Sequence, residues 1–302
     1  MMRRLAIVAL SVTAACTGDA NGAPRQFDAA TSMEYIQTQL DFGPRIPGSE
    51  GHRRTGDWIV EQMRARADTV HVQEWAHVTK DGDSLPMRNV LARFKPDAAQ
   101  RILYLAHWDT RPISDAATNK AERALPVPGA NDGASGVALL MGVADALQTI
   151  PPAVGVDLLF VDGEDFGDFS SDTDVLIGSK YFAQHLPSPD YRPLFGVVWD
   201  MIGDADLKIY QEGHSMRRAP EIVARVWRIA ADLGYYNVFI PTGGQSVTDD
   251  HLPLLDAGLR VINVIDIDYP SHHTPQDTFD KVSQESMQIV GDVAMALIRG
   301  VR

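Results

Sequence analysis

Four short apolar runs, each leading into a histidine or a carboxylate, constrain this chain more than any other feature of its sequence. Arg101–Ala106 (RILYLA) runs into His107-Trp108-Asp109, and Val156–Val161 (VDLLFV) into Asp162-Gly163-Glu164-Asp165. Leu194–Trp199 (LFGVVW) runs into Asp200, and Arg260–Ile265 (RVINVI) into a segment reaching His272-His273. Near-continuous hydrophobicity of this length predicts strands covered on both faces, as in a largely parallel sheet. Around them the spacing predicts helices at Ser49–Ala67, with Ser49 as N-cap, Gly136–Thr149, Ala219–Leu233 and Gln284–Ile298. In the third, Ile222, Val223, Val226, Ile229 and Ala230 form one apolar stripe that reads as core. Strands alternating with helices give an α/β fold. Ligands in such folds bind at the C-terminal ends of the strands, so these scattered polar groups are expected at one rim. Asp132 joins them from the loop Gly129-Ala130-Asn131-Asp132-Gly133-Ala134-Ser135-Gly136, whose glycines permit tight turning.

Composition narrows the chemistry. The 302 residues are 45% hydrophobic and 22% charged, enough for a sizeable core in one compact domain. Lys and Arg number 27 against 40 Asp and Glu, a net charge of −13 that disfavours nucleic acid as a partner. Cys16 is the one cysteine, so a metal would have to be held by His and carboxylate. A serine-hydrolase reading has little support: there is no Gly-x-Ser-x-Gly elbow, and Ser170 and Ser171 fall in the acidic stretch Asp168–Asp174. That stretch is expected as a loop over the site rim or as plain disordered surface.

At the N-terminus, Arg3 and Arg4 precede an apolar run, Leu5–Ala15, too short to span a bilayer. Residues 1–16 are therefore expected to be an export signal. Thr13-Ala14-Ala15 before Cys16 suits lipoprotein cleavage, after which a lipid on Cys16 would be the contact with a membrane. A simple secretory signal cleaved near Gly22 is the alternative. Either predicts export to a bacterial cell envelope, lipid-anchored on a periplasmic or outer-membrane face, or soluble. Residues 17–26 are expected to be a linker and 27–302 a single catalytic domain, monomeric by default.

One imidazole and two carboxylates suit Zn²⁺ with a position left open for water or substrate, and Asp132, Asp165 and His273 fit that description. His107 and Asp200 could complete a second site sharing Asp132. Glu164, beside Asp165, could shuttle protons while its neighbour binds metal. Any one of these acids would pass as a solvated loop residue; four strand ends each delivering a ligand type would not. Asp109 either fixes the tautomer of His107 or caps the following turn. His251 reads as structural, and Trp108, Phe166 and Trp199 as packing. Tyr269, in the loop carrying His273, is the aromatic expected to touch substrate.

These residues resemble a known family. His107-Trp108-Asp109-Thr110-Arg111-Pro112, Gly129–Gly136, Asp162–Asp165, Thr248-Asp249-Asp250-His251 and His273-Thr274-Pro275-Gln276-Asp277-Thr278 look like successive motifs of the M28 zinc metallopeptidases. Phe42-Gly43-Pro44-Arg45-Ile46-Pro47-Gly48-Ser49 adds an early match. Within the family they most resemble glutaminyl-peptide cyclotransferases of the animal-like type and their bacterial relatives. The resemblance implies a three-layer α/β/α sandwich with a central mixed, mostly parallel sheet. It implies one zinc on Asp132, Asp165 and His273, Glu164 as acid/base, and Asp200 and Asp249 in a carboxylate network near it. The substrate would be a peptide or protein with N-terminal Gln, converted to pyroglutamate with release of ammonia; Thr248 and His272 are expected beside it. His272 stands where many cyclotransferases carry Trp, and Asp165 where animal members carry Glu. In the aminopeptidase version of the fold, His107, Asp132 and Asp200 hold a second zinc and N-terminal residues are removed. A peptide-binding relative without catalysis is the remote third reading.

Overall fold

The structure, a computed structural model, describes residues 26–301. The expected export signal, Cys16 and all but the last residue of the expected linker lie outside the described residues. Among the described residues, no helix is long and apolar enough to cross a membrane.

The chain opens with helices α1 (Ala29–Asp41) and α2 (Glu50–Arg64), then a hairpin of β1 (Thr69–Val78) and β2 (Ser84–Phe94). There follow β3 (Arg101–His107), α3 (Ala134–Thr149), β4 (Gly155–Val161), α4 (Ile177–Gln184) and β5 (Gly196–Asp200). A small parallel pair, β6 (Ile209–Gln211) and β7 (Phe239–Gly243), encloses α5 (Gly213–Arg218) and α6 (Pro220–Asp232). The chain ends with α7 (His251–Asp256), β8 (Val261–Ile265) and α8 (Gln284–Arg299). Side-chain caps open several helices: Asp28 accepts from Ala30 N and Thr31 N, Ser49 from His52 N, and Ser283 from Ser286 N.

Six strands form the main sheet in the order β1-β2-β4-β3-β5-β8. The four anticipated strands β4, β3, β5 and β8 run parallel, and the hairpin adds two antiparallel strands at one edge. Every residue of these four strands is buried, because helices cover both faces. Their side chains alternate between two cores. Ile102, Tyr104 and Ala106 join the cluster that includes α3, α6 and α8, whereas Leu103 and Leu105 join Phe182 of α4 and Leu254 of α7. This is the expected three-layer sandwich with a mixed, mostly parallel sheet.

The register aligns the strand ends. His107 lies opposite Val161, and Asp200 opposite Ile265, so all four parallel strands finish at one level. Gly163 then turns the chain with φ +69°, and a Cβ there would strike Met87. Gly136, in the first turn of α3, lets that helix approach the Trp199 carbonyl closer than any side chain would allow. Loops carrying Asp132, Glu164 and Asp165 are thereby folded tightly over the rim.

Candidate active site

At this rim lies a cleft of about 420 Å³ whose wall includes Asp132, Glu164, Asp200, Thr248, Asp249, His272 and His273. Asp168, Phe169 and Ser170 also line it, so the acidic stretch forms a rim loop. His107 sits against the cleft: its Nε2 is 3.0 Å from Asp132 Oδ1 and 3.2 Å from Asp200 Oδ1. Asp165 is buried and meets His273 Nε2 at 3.0 Å. Tyr269 departs from expectation. Its ring is buried with Met201 and Ile265, and its hydroxyl donates to Asp277 Oδ1 at 2.8 Å, so it buttresses the site instead of facing substrate.

Buried oxygens test whether a metal suits these residues. Asp132 Oδ2 and Asp165 Oδ2 have no hydrogen-bond partner. Such oxygens are costly to bury without a hydrogen-bond donor, a water or a cation to meet them, and a cation meets both at once. His273 Nε2, 3.7 Å from Asp132 Oδ2, supplies the imidazole of a one-His, two-carboxylate set that fits Zn²⁺. Asp165 Oδ1 meets the same His273 Nε2 and also accepts from Arg111 Nη1 at 3.1 Å. Among the described residues, donor atoms gather within 4.8 Å of one another in two sets, Asp132, His272 and His273, and His107, Asp132 and Asp200. His272, expected beside substrate, thus also comes within reach of a metal position.

Two carboxylates outside the cleft wall hold the ligand loops by their backbones. Asp109 accepts from Glu164 N at 3.0 Å and Asp165 N at 3.1 Å, with His107 Nδ1 3.5 Å from its Oδ1. Its carboxylate thus ties down the distant Glu164–Asp165 loop, not the turn that follows it in sequence, and lies beside the His107 ring. Asp277 does the same on the other side, accepting from Asn131 N at 2.8 Å and Asp132 N at 3.1 Å. Arg45, fully buried, donates to the carbonyls of Trp108, Pro128 and Gly129 and locks the intervening loops together. His273 adopts φ +52°, a left-handed conformation uncommon outside glycine. Asp115, 3.3 Å from His273 Nδ1, fixes that ring from behind.

Electrostatics separate the acids by role. Burial pushes the Glu164 carboxyl well above its ordinary range, and the charges of Asp165, Asp249 and Asp250 add to the rise against the opposing pull of His107. Burial and the charge of Asp200 raise Asp249 to about 6, and Asp200 is itself raised. Asp132 is held low despite burial, by His107 and the paired histidines. An acid that stays protonatable beside an acid that stays ionised is the pairing expected of a proton carrier next to a metal ligand.

Sequence reading missed Glu212. Its carboxylate caps α5 through His214 N at 2.7 Å and Ser215 N at 2.6 Å, accepts from Val247 N at 3.0 Å, and lies 3.3 Å from His251 Nε2. Burial alone would raise its pKa, but the adjacent His251 ring and the hydrogen bonds from His214 and Ser215 outweigh it and hold the group at about 2. A depressed carboxyl contributes stability above its unfolded value, here 4.5, and loses it as pH falls through about 2. Glu212→Gln is expected to cost about 2 kcal/mol near neutrality. Urea unfolding at stepped pH should show the gap from wild type closing between about 4.5 and 2.

The sequence pattern of peptidase family M28 matches residues 89–298. The chain belongs to this family. As an M28 member it is similar to the glutaminyl cyclase of Bacteroides thetaiotaomicron solved with N-acetylhistamine, at 32% identity and TM-score 0.88 over 92% of this chain and 99% of that one. It is equally similar to a leucine aminopeptidase precursor from the same organism, at 33% identity and TM-score 0.88 over 92% and 98%. Among curated proteins, the glutaminyl-peptide cyclotransferase-like protein of Mus musculus is 27% identical over 263 residues, 78% of this chain and 66% of that protein. The first curated relatives are longer: the M28 chain spans 44% to 66% of their length.

Proposed function

We propose that this M28 chain is a zinc-dependent glutaminyl-peptide cyclotransferase, converting the N-terminal Gln of peptides or proteins to pyroglutamate with release of ammonia. The observation that carries this reading is that, apart from the metal-ligand candidate Asp132, a third buried carboxylate, Asp249, joins Glu164 and Asp200 in the cleft wall. In peptide hydrolysis too, one carboxylate takes a proton from the nucleophile and returns it to the leaving nitrogen. Cyclisation asks the same group to take a proton from an amine and return it to departing ammonia, so it must be protonatable at working pH. The charge of Asp249 acts in that direction on Glu164. Asn263 Nδ2 fixes Asp249 through Oδ2 at 2.5 Å, and the backbone N–H of Asp250 donates to Oδ1.

Zinc held by Asp132, Asp165 and His273 would supply Lewis-acid polarisation of the side-chain amide carbonyl. Glu164 takes a proton from the attacking α-amine, the new C–N bond closes the ring, and the same proton leaves with the amide nitrogen as ammonia. Because the nucleophile belongs to the substrate, holding it in position supplies much of the rate. His272 and Thr248 in the cleft wall are the side chains proposed to orient the substrate. The first test is mass spectrometry of a peptide beginning Gln-Leu after incubation with the protein and zinc. A product lighter by one ammonia with its chain intact supports the proposal.

The aminopeptidase reading keeps one specific observation in its favour, the close set His107, Asp132 and Asp200. Release of free glutamine and a shortened peptide would establish it instead and make His107 a ligand of a second zinc. In the cyclotransferase reading His107 stays a hydrogen-bonding partner, and one zinc per chain after mild dialysis is the expected metal content.

A further inference from the structure

A second chamber of about 280 Å³ adjoins the cleft, and the chemistry above leaves it unused. The two share Gln245, Val247, Ile265 and Ile267. The annex is completed by Tyr210, Gly243, Gly244, Glu212 and Asp268. At Gly243, a Cβ would meet nothing within 4 Å, so the end of β7 leaves the space open. The annex is therefore an apolar trough with acids and no base among its described lining residues. The two acids differ. The Glu212 carboxylate is buried and occupied by the N–H groups of His214, Ser215 and Val247. The Asp268 carboxylate is exposed, and Gln245 Nε2 donates to its Oδ1 at 3.2 Å.

We propose that the annex receives the side chain of the substrate's second residue and selects a long basic one, lysine or arginine. This rests on the cyclotransferase reading, in which the first residue reaches Glu164 and the next emerges along the shared wall. A lysine or arginine stem lies along Val247, Ile265 and Ile267 while its charged head reaches Asp268. The half-buried Tyr210 ring offers a cation a second favourable surface. An acidic side chain would instead enter a trough with two carboxylates, in a chain of net charge −13.

The experiment compares kcat/KM of the full chain with zinc on three peptides beginning Gln-Lys, Gln-Leu and Gln-Glu. At low salt Gln-Lys is expected to exceed Gln-Glu by about tenfold, with the ratio shrinking as ionic strength rises. Asp268→Asn should bring the ratio toward one, and Asp268→Lys should invert it, each read against the same variant's rate on Gln-Leu. Equal rates on Gln-Lys and Gln-Glu, or a preference that survives Asp268→Lys, overturn the annex proposal. Cyclisation without any ranking sinks the annex alone. Release of free glutamine with the basic ranking intact sinks the cyclotransferase reading alone, and no turnover of any of the three peptides sinks both.

Discussion

Glu164→Gln is expected to lower kcat on a Gln-Leu peptide by two to four orders of magnitude, with zinc content and thermal unfolding close to wild type. General acid/base groups contribute about 10²- to 10⁴-fold, and an amide can neither take nor return the proton. The neutral isostere fits the site better than the usual Glu→Gln change would, because burial and the charges of Asp165, Asp249 and Asp250 already disfavour the carboxylate there. The loss should therefore fall on kcat more than on KM. Activity within tenfold of wild type would move proton transfer to Asp200 or Asp249, two acids of the cleft wall whose carboxyls burial also raises. Circular dichroism and a metal assay on the same preparation separate lost chemistry from lost structure.

How much of this was legible in the sequence depended on what each residue contacts. The four parallel strands could be read because strands buried on both faces are continuous apolar runs, and their polar C-terminal residues then had to share one rim. The hairpin was missed for the complementary reason. β1 (TVHVQEWAHV) is an edge strand none of whose residues is fully buried, half-buried and exposed positions interleaving along it, so its apolar residues are interrupted and it has no run to notice. Helix α1 was missed because its buried residues are mostly small or polar: Ala29, Ser32 and Gln39 beside Ile36. Asp162 shows the limit most plainly. It follows a strand just as Asp200 closes one, yet it pairs with His52 Nε2 at 2.9 Å and accepts from Arg88 N at 2.7 Å. Both partners are distant in sequence, and neither carries a mark of the pairing. The position of Tyr269 in the loop of His273 points to substrate, and only the apolar cluster with Met201 and Ile265 shows that its ring is already occupied.

Asp277→Ala tests whether the ligand loops are held from behind, and it should produce two separable losses. The carboxylate of Asp277 accepts from the successive N–H groups of Asn131 and Asp132, just as Asp109 accepts from Glu164 and Asp165. Alanine would leave two buried donors and the Tyr269 hydroxyl unpaired, a cost of about 3 kcal/mol in urea unfolding. It would also free the backbone that aims Asp132, and loss of such a supporting group typically weakens a metal site about 10- to 100-fold. Chelator competition reads that second loss independently of catalysis. Asp277→Asn sharpens the comparison, because its one carbonyl oxygen can serve a single N–H while its amide opposes the other. Burial and the neighbouring Asp132 push Asp277 up to about 7, so charge alone is not what the two amides require. Zinc affinity for Asp277→Asn should therefore fall between wild type and Asp277→Ala. If both variants bind zinc as wild type does while losing stability, Asp277 supports the fold and Asp132 is aimed by its neighbours alone.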